Sequence, residues 1–280
     1  MKKLLIGMLL SLATGVSLFG ANYTIMPYGS YIKYSSNATK DKAYLGGLYT
    51  SFSYSPFLFE IDAEHLIIKY KNNVVPDWIQ NDLTLVGNYY YGYNWIGRLG
   101  IHNMFVNQVE KHYEKTLIAG VNYYQKLNYN IGTDFYYSTY PNSMKVYQIS
   151  PKAGTYFGDY DSYGLFYLQA KENYIHLDNK NDNNLKNNYL NTDLSLKYFK
   201  GPLTLTLIGS FGRNAYKIDN NGFVVYNTGD EYKKQVTVSA TYNLNKNSNL
   251  GIEYSKATFD ESNIDNAHSY LYMINYTYYF

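Results

Sequence analysis

Apolar and polar residues alternate along segments that recur from one end of this chain to the other. In one segment, an apolar row on one face opposes a polar row on the other, and the two rows are Leu190, Thr192, Leu194, Leu196 and Tyr198 against Asn191, Asp193, Ser195 and Lys197. Fourteen segments have this strand-like character, and they are predicted at residues 22–35, 43–55, 57–71, 81–92, 95–108, 115–126, 129–140, 143–157, 163–177, 189–200, 202–217, 232–245, 249–259 and 267–280. Period-two patterning on this scale predicts an all-β chain.

The connections between the segments alternate between short and long. The short ones are 55–56, 93–94, 126–128, 158–161, 200–202 and 245–248, and the longer, polar ones are 36–42, 72–80, 108–114, 178–188, 219–231 and 260–266. Only residues 140–143 are short where a long connection is expected. Membrane barrels have short turns at one end and longer loops at the other, whereas a soluble sandwich has no reason to alternate in this way. The sequence therefore predicts a single antiparallel transmembrane β-barrel with an up-and-down meander.

The strand count has one alternative. Pro151 lies in the middle of segment 143–157, where it removes a ladder donor, so a count of twelve strands is the alternative to fourteen. The chain has no linker and no repeat of 20–50 residues. We therefore expect one barrel domain over residues 22–280.

The first residues have the pattern of a secretory leader. Met1-Lys2-Lys3 is basic, residues 4–19 are apolar, and Gly20-Ala21 supplies small residues for cleavage after either position. A membrane-anchor helix is the alternative, but an apolar stretch of about 16 residues is short for a span of about 20. The absence of cysteine excludes a lipoprotein and a disulfide scaffold. We predict a cleaved signal peptide at residues 1–21 and export to the Gram-negative outer membrane.

The last segment ends in alternating aromatic residues, Tyr276, Tyr278 and Phe280. A terminal Phe on such a strand resembles the C-terminal assembly signal of Gram-negative outer-membrane β-barrels. The resemblance implies that the barrel assembly machinery and outer-membrane lipid are partners. Phe280 also sets the phase of a final strand whose outward row, from Tyr270 to Phe280, faces lipid and which closes the barrel against residues 22–35.

By architecture alone, through strand number, loop alternation and Phe280, the chain resembles small monomeric porins of the porin G type. This resemblance implies a monomer and carries no individual residue over. Fatty-acid transporters of similar strand number have a plug ahead of the barrel, whereas here the first segment directly follows the predicted leader.

Composition fits this interpretation. The chain has 37 Tyr and 13 Phe, and aromatic girdles at the two membrane interfaces would use them. The chain carries 24 Lys and Arg against 22 Asp and Glu, and removal of Lys2 and Lys3 balances the charges. Net charge therefore favours neither nucleic acid nor anionic lipid as a partner.

The polar rows define the expected lumen. They place charged residues of both signs inside, namely Lys33, Glu60, Asp62, Glu64, Asp82, Arg98, Asp134, Lys152, Lys171, Asp193, Lys197 and Glu253. Because eight strands are already filled by side chains, fourteen predict a water-filled or partly filled pore for small hydrophilic solutes. Inward tyrosines are candidates for a sugar track, and they are Tyr31, Tyr49, Tyr90, Tyr124, Tyr136 and Tyr167.

The acidic residues of segment 57–71 have two interpretations. Glu60, Asp62 and Glu64 either form a charged pore wall with a weak cation preference or pair across the lumen with Arg98 and Lys33 and only hold the barrel together.

The longest connection, 219–231, contains the apolar run Gly222-Phe223-Val224-Val225-Tyr226. It either folds over the mouth as a gate or extends the flanking hairpin beyond the membrane. No loop is long enough for a globular plug.

Catalysis is not expected. Thiol chemistry is excluded without cysteine, and the five histidines lack the spacing of a metal site or a hydrolase. We therefore predict no catalytic residue, no metal and no cofactor. A structural or adhesive surface protein is the alternative to a channel, and an outer-membrane hydrolase ranks third.

Overall fold

The fold is a closed barrel. The computed structural model describes residues 22–71, 75–107, 111–126, 128–180, 185–261 and 264–280, and the predicted leader at 1–21 lies outside the described residues. The strands are β1 (Asn22–Tyr34), β2 (Lys40–Tyr54), β3 (Phe57–Tyr70), β4 (Trp78–Tyr91), β5 (Trp95–Asn107), β6 (Lys111–Gln125), β7 (Tyr129–Thr139), β8 (Lys145–Asp159), β9 (Gly164–Asp178), β10 (Asn188–Lys200), β11 (Leu203–Asn214), β12 (Ile218–Asp219), β13 (Val224–Val225), β14 (Glu231–Asn245), β15 (Ser248–Glu261) and β16 (Ile264–Tyr279).

Fourteen of these strands form the barrel, and only the short strands β12 and β13 lie outside its sheet. Each barrel strand pairs with its chain neighbours in antiparallel fashion, and β16 closes the cylinder against β1, with Thr24 opposite Tyr279 and Tyr34 opposite Ser269. The prediction of fourteen strands in a meander is confirmed, and the twelve-strand alternative is wrong. Pro151 lies within β8, opposite Thr133 of β7, and is accommodated without loss of the strand.

The outward face is apolar and rich in aromatic residues. Leu99 keeps 72% of its surface exposed, and Ile131, Leu190 and Ile274 keep more than half of theirs. Polar backbone groups are paired around the closed cylinder, so hydrocarbon can surround this face without unsatisfied donors or acceptors. Among the residues that the structure describes, there is no helix with the length and apolar character needed to cross a membrane.

The two ends of the barrel differ. Turns of two to four residues connect the strands at one end, which we call the turn end. At the other, which we call the loop end, most connections are longer, but the strand bounds leave only three residues between β5 and β6 and two between β15 and β16. In membrane barrels the turn end faces the periplasm and the loop end faces outward. The connection between β11 and β14, residues 215–230, contains β12, the 3-10 turn Asn220–Gly222 and β13. We call residues 215–230 the inner loop, because its contacts lie inside the barrel.

Candidate channel lumen

The structure places all eleven residues proposed as pore-lining on the inner face. They are Glu60, Asp62, Glu64, Asp82, Arg98, Asp134, Lys152, Lys171, Asp193, Lys197 and Glu253, and their inward positions follow from the contacts described below and from strand register. Lys197 lies opposite the buried Tyr167, and Glu253 lies opposite Ser239. The face assignment of these strands follows from period two alone.

Two inward assignments on β1 are wrong. Tyr28 reaches Asp62 and Glu64 inside the barrel, so even-numbered residues of β1 face inward and odd-numbered ones face outward. Tyr31 therefore packs against the outward Tyr44, with ring centroids 5.5 Å apart, and Lys33 lies on the exposed outer surface. A shift of one residue in the phase of a strand moves every side chain to the other face, and the sequence offered little to fix the phase here.

One side of the lumen carries four carboxylates, Glu60, Asp62, Glu64 and Asp82, which we call the acidic wall. The hydroxyl of Tyr28, which has one hydrogen to donate, lies 2.9 Å from each oxygen of Asp62 and 2.6 Å from Glu64 Oε1. Glu64 lies directly opposite Asp82 on the neighbouring strand. Within the described ranges, no Lys or Arg lies within ion-pair distance of these four residues. Neutral donors therefore hold the carboxylates of this wall.

Glu60 is held in the same way. Tyr49 donates to one of its oxygens at 2.7 Å, and Asn88 donates to the other at 2.6 Å. Arg98 donates to Asn88 at 3.0 Å and so meets Glu60 only through that amide. The predicted direct pairing of the acidic row with Arg98 and Lys33 is therefore wrong. An amide that accepts from Arg98 and donates to Glu60 separates the two charges.

The neighbouring part of the lumen wall, from β5 to β10, carries ion pairs. Arg98, Asp134, Lys152, Lys171 and Asp193, which we call the ion-paired wall, lie on β5 and β7 to β10. Asp134 forms ion pairs with Arg98 at 3.2 Å and with Lys152 at 2.5 Å, and Asp193 forms one with Lys171 at 3.0 Å. Asp134 keeps only 2% of its side chain exposed. The sequence predicted that these residues face inward but not which of them would pair.

The inner loop is fixed to the ion-paired wall. Lys217 of the loop, with 4% of its side chain exposed, bonds Asp193 at 2.7 Å and Asp219 at 3.1 Å. Lys171 also pairs with Asp219. Gln148 of β8 donates to the carbonyl of Ile218 at 2.7 Å and accepts from its amide at 2.8 Å, so the loop backbone is bound to the wall as a strand would be.

Charge neighbours control the ionisation of Asp219. Burial by itself raises the pKa of this carboxyl, but the charges of Lys217 and Lys171 outweigh burial and bring the pKa well below its usual value. Asp219 is therefore ionised throughout the physiological range and keeps both lysines neutralised.

The inner loop also reaches the other walls. The ring of Phe223 meets Tyr49 of β2 edge-on at 5.8 Å and packs in a cluster with Val86, Ile118 and Ile218. Gly222 has a φ of +101°, and a Cβ there would lie 2.3 Å from Ile118, so only glycine fits between loop and wall.

Nearer the loop end, Asn227 donates to Gln80 at 2.9 Å and to Glu114 at 3.1 Å, and Asp230 pairs with Lys40 of β2 at 2.5 Å. The inner loop thus crosses the lumen from β10 to β2 and fills its loop-end half. The connection neither extends the hairpin nor covers the mouth from outside, as the two sequence interpretations had it, because it lies inside the barrel. The inner loop therefore occupies part of the lumen.

Of the tyrosines proposed as a sugar track, Tyr31 lies outside, and the remaining five, Tyr49, Tyr90, Tyr124, Tyr136 and Tyr167, lie on inward rows. Tyr136 is buried in the cluster that holds Phe223, and Tyr49 contacts the same ring. Both rings therefore pack against the inner loop.

No protein-family model matches the sequence, and no curated protein is significantly similar to it. Solved structures match over most of the chain. A bacterial polysaccharide outer-membrane secretin is 11% identical, with 93% of this chain and 98% of that chain covered and a TM-score of 0.56. The monoaromatic hydrocarbon channel CymD is 8% identical, with 98% and 92% covered and a TM-score of 0.58. The Ralstonia pickettii toluene transporter TbuX is 8% identical, with 92% and 89% covered and a TM-score of 0.57. At these identities the likeness shows the fold alone, which is that of outer-membrane β-barrels.

Proposed function

We propose that the protein is an outer-membrane channel through which small hydrophilic solutes diffuse passively, with a weak preference for cations. The observation that carries the proposal is the acidic wall, four lumenal carboxylates held by neutral donors within a closed membrane barrel. Cations gain from such a wall because its field is not cancelled by a neighbouring Lys or Arg, whereas anions are repelled.

The inner loop sets the width of the passage in this proposal. It contacts opposite walls through Lys217 and Asp230, so a solute has to pass beside it or displace it. Because those contacts are hydrogen bonds and ion pairs rather than covalent links, the loop can leave the lumen at a finite cost. We expect small conductance steps with the loop in place and larger ones when it is released.

The polar wall also bears on the class of solute. The printed names of two similar structures describe a hydrocarbon channel and a toluene transporter. Apolar solutes gain nothing from carboxylates, and they would have to pass Glu60, Asp62 and Arg98. These residues favour hydrophilic solutes for this chain.

We further propose where the channel resides and how it is assembled. The barrel is a monomer in the Gram-negative outer membrane after removal of residues 1–21, and Tyr276, Tyr278 and Phe280 are the signal for the assembly machinery. The outward position of Tyr276, Tyr278 and Phe280 at the turn end of β16 supports this part, because an assembly factor could reach them from the periplasm.

Conductance in a planar bilayer tests the channel. Purified protein whose folding is verified by heat-modifiable gel mobility should give stepwise current. Silence across voltage and pH would contradict the channel and favour the alternative of a structural or adhesive surface protein.

Selectivity tests the acidic wall separately. We expect the triple variant Glu60→Gln, Asp62→Asn and Glu64→Gln to lose cation preference, because the amides keep their neighbours but carry no charge. The reversal potential in a potassium chloride gradient measures this. The matched control is Glu253→Gln, which removes one inward carboxylate remote from the wall. An unchanged reversal potential in the triple variant would mean that the row is structural.

A further inference from the structure

The outer surface of the barrel carries a row of lysines at the loop end. Lys33 of β1 lies directly opposite Lys42 of β2, and Lys42 lies directly opposite Lys69 of β3. On the other side of Lys33 comes Tyr270 of β16, and then Lys256 of β15, whose ammonium lies 5.5 Å from the centroid of the Tyr270 ring. We call Lys33, Lys42, Lys69 and Lys256 the lysine row.

Like charges that face each other on adjacent strands are unfavourable. Directly opposed side chains have Cβ atoms about 4.5–5.5 Å apart, so three successive lysines repel each other unless an anion is present. Within the described residues, the anions near the row are Asp41, 3.7 Å from Lys42, and Asp77, which pairs with Lys69. Both are half-exposed surface pairs, which contribute little to stability. Two such carboxylates do not balance four lysines.

The height of the row matches a lipid headgroup. Tyr23 stacks on Phe52 near the turn end, and Lys33 is ten residues further along β1. Ten residues span about 33 Å along a strand, and the usual tilt reduces this to about 25 Å, the height of the apolar band of a membrane barrel. The rings of Tyr31 and Tyr44 lie one step below the lysines, where interfacial tyrosines are expected.

The surface below the two tyrosines is shallow. Gly29 and Gly46 face each other across β1 and β2, and a Cβ at Gly46 would have no atom within 4 Å. The outer wall is therefore recessed there, on the side of the two tyrosines that is away from the lysines. A hydrocarbon chain can lie against the backbone at this place.

Other outward lysines of the barrel have different neighbours. Lys115 of β6 lies between Asn103 and Thr139, and Lys145 of β8 lies between Thr139 and Asp178. Each faces neutral or acidic neighbours, so neither needs an added anion. The lysine row is therefore an arrangement of β1 to β3 and β15, and Lys115 and Lys145 provide a matched control.

We propose that the lysine row binds the phosphate groups of an anionic lipid of the outer leaflet, whose acyl chains lie in the recess at Gly29 and Gly46. Phosphate supplies the anion that the opposed lysines lack, and the surface beneath accepts hydrocarbon. The site is on the outside of the barrel and is independent of conductance through the lumen.

The test compares lipids that differ in phosphate. The probe is lipid A with two phosphates, titrated against the detergent-purified barrel and counted by native mass spectrometry. The comparators are the same lipid after phosphatase treatment and inorganic phosphate alone. In the wild type, we expect phosphorylated lipid A to bind and to raise the thermal midpoint, and the dephosphorylated lipid to bind at least about tenfold more weakly.

The variants localise the site. Lys33→Gln, Lys42→Gln and Lys69→Gln together should weaken lipid A binding about 100-fold, at about fivefold per lysine near a phosphate surface. Lys115→Gln with Lys145→Gln should change lipid A binding less than about twofold, since these lysines face neutral or acidic neighbours on the adjacent strands. Replacement of the three lysines by Arg should retain binding. Heat-modifiable mobility verifies folding, and the single variant Lys42→Gln serves if the triple variant does not fold.

Three results would overturn the proposal. The first is an affinity for lipid A that is unchanged in the triple Gln variant, or in Lys42→Gln if the triple variant does not fold. The second is an equal loss of lipid A affinity in the control with Lys115→Gln and Lys145→Gln. The third is inorganic phosphate that binds as tightly as the lipid and displaces it, which would make the row a site for a soluble anion.

Discussion

The acidic wall on β3 and β4 and the ion-paired wall on β5 to β10 are neighbouring parts of one lumen wall and use their charges differently. On the acidic wall, carboxylates meet tyrosine hydroxyls and amides, as at Tyr28 and Asn88. On the ion-paired wall, each aspartate meets two cations, as Asp134 does with Arg98 and Lys152. The inner loop supplies Lys217 and Asp219 to the second wall only.

This difference shows how one barrel can contain both a fixed loop and a wall that retains its field. The cations of the lumen are concentrated where they hold the inner loop and cannot also neutralise Glu60, Asp62 or Glu64. Selectivity and loop anchoring should therefore be separable by mutation.

The largest expected effect comes from Lys217→Met. It removes the cation between two aspartates, Asp193 and Asp219, and breaking a buried pair in this way costs about 3–5 kcal/mol. We expect the inner loop to leave the lumen, with a larger conductance step and a lower thermal midpoint. The matched control is Lys197→Met, an inward lysine without an ion pair in the described ranges. An equal change in the control would contradict a specific anchor.

Asp134→Asn should have the second-largest effect. It leaves Arg98 and Lys152 without their shared carboxylate, which should cost about 2–3 kcal/mol, as for hydrogen bonds to charged groups. Two unbalanced cations should also move the reversal potential toward anions. Glu253→Gln removes an inward carboxylate that has no ion pair among the residues the structure describes, and it should leave stability nearly unchanged. A reversal potential that stays at the wild-type value would show that this wall does not face the permeating ions.

Tyr28→Phe tests the neutral donors of the acidic wall. It removes the hydroxyl that bonds Asp62 and Glu64, at a cost of about 1–2 kcal/mol in unfolding free energy, measured by thermal unfolding. The freed oxygens should interact more strongly with passing cations and increase cation preference. Tyr31→Phe, on the outward face of the same strand, is the control and should alter neither quantity. Weaker cation preference in Tyr28→Phe would contradict this role.

The smallest effect is expected from mild acidification. Because the pKa of Asp219 is lowered in the folded chain, its contribution is complete above the unfolded value of about 3.9 and is lost only as pH falls through the folded value. Between about pH 7 and pH 4.5 the anchor should therefore persist. Conductance steps should stay smaller than those of Lys217→Met at both pH values. Steps that reach the size of that variant at pH 4.5 would show that the anchor had failed.

Much of the fold follows from local physics that a sequence carries. Period two assigned Asp193 and Leu194 to opposite faces, and the terminal strand whose phase Phe280 sets was predicted to close against the first. These features depend on neighbours in the chain. They hold wherever the pattern is strong, and they fail at Lys33, where a slip of one residue in phase exchanges inside and outside.

The partners within the lumen depend on contacts remote in sequence. Arg98 meets Asp134, 36 positions away, because Asn88 stands between it and Glu60. The insertion of the inner loop into the lumen also depends on contacts remote in sequence, although the sequence of the loop contains one indication of it. Lys217 and Asp219 flank an apolar residue, which suits a short strand that presents two charges to one wall and Ile218 to the loop's own packing.

The inner loop also has a mechanical consequence. An empty fourteen-stranded cylinder can flatten into an ellipse while its interstrand hydrogen bonds survive. The loop ties β10 through Asp193 to β2 through Lys40, two strands that lie nearly across a diameter of the ring. The inner loop therefore resists flattening of the barrel's circular cross-section. We expect a barrel without the loop to deform more easily and to have a wider lumen.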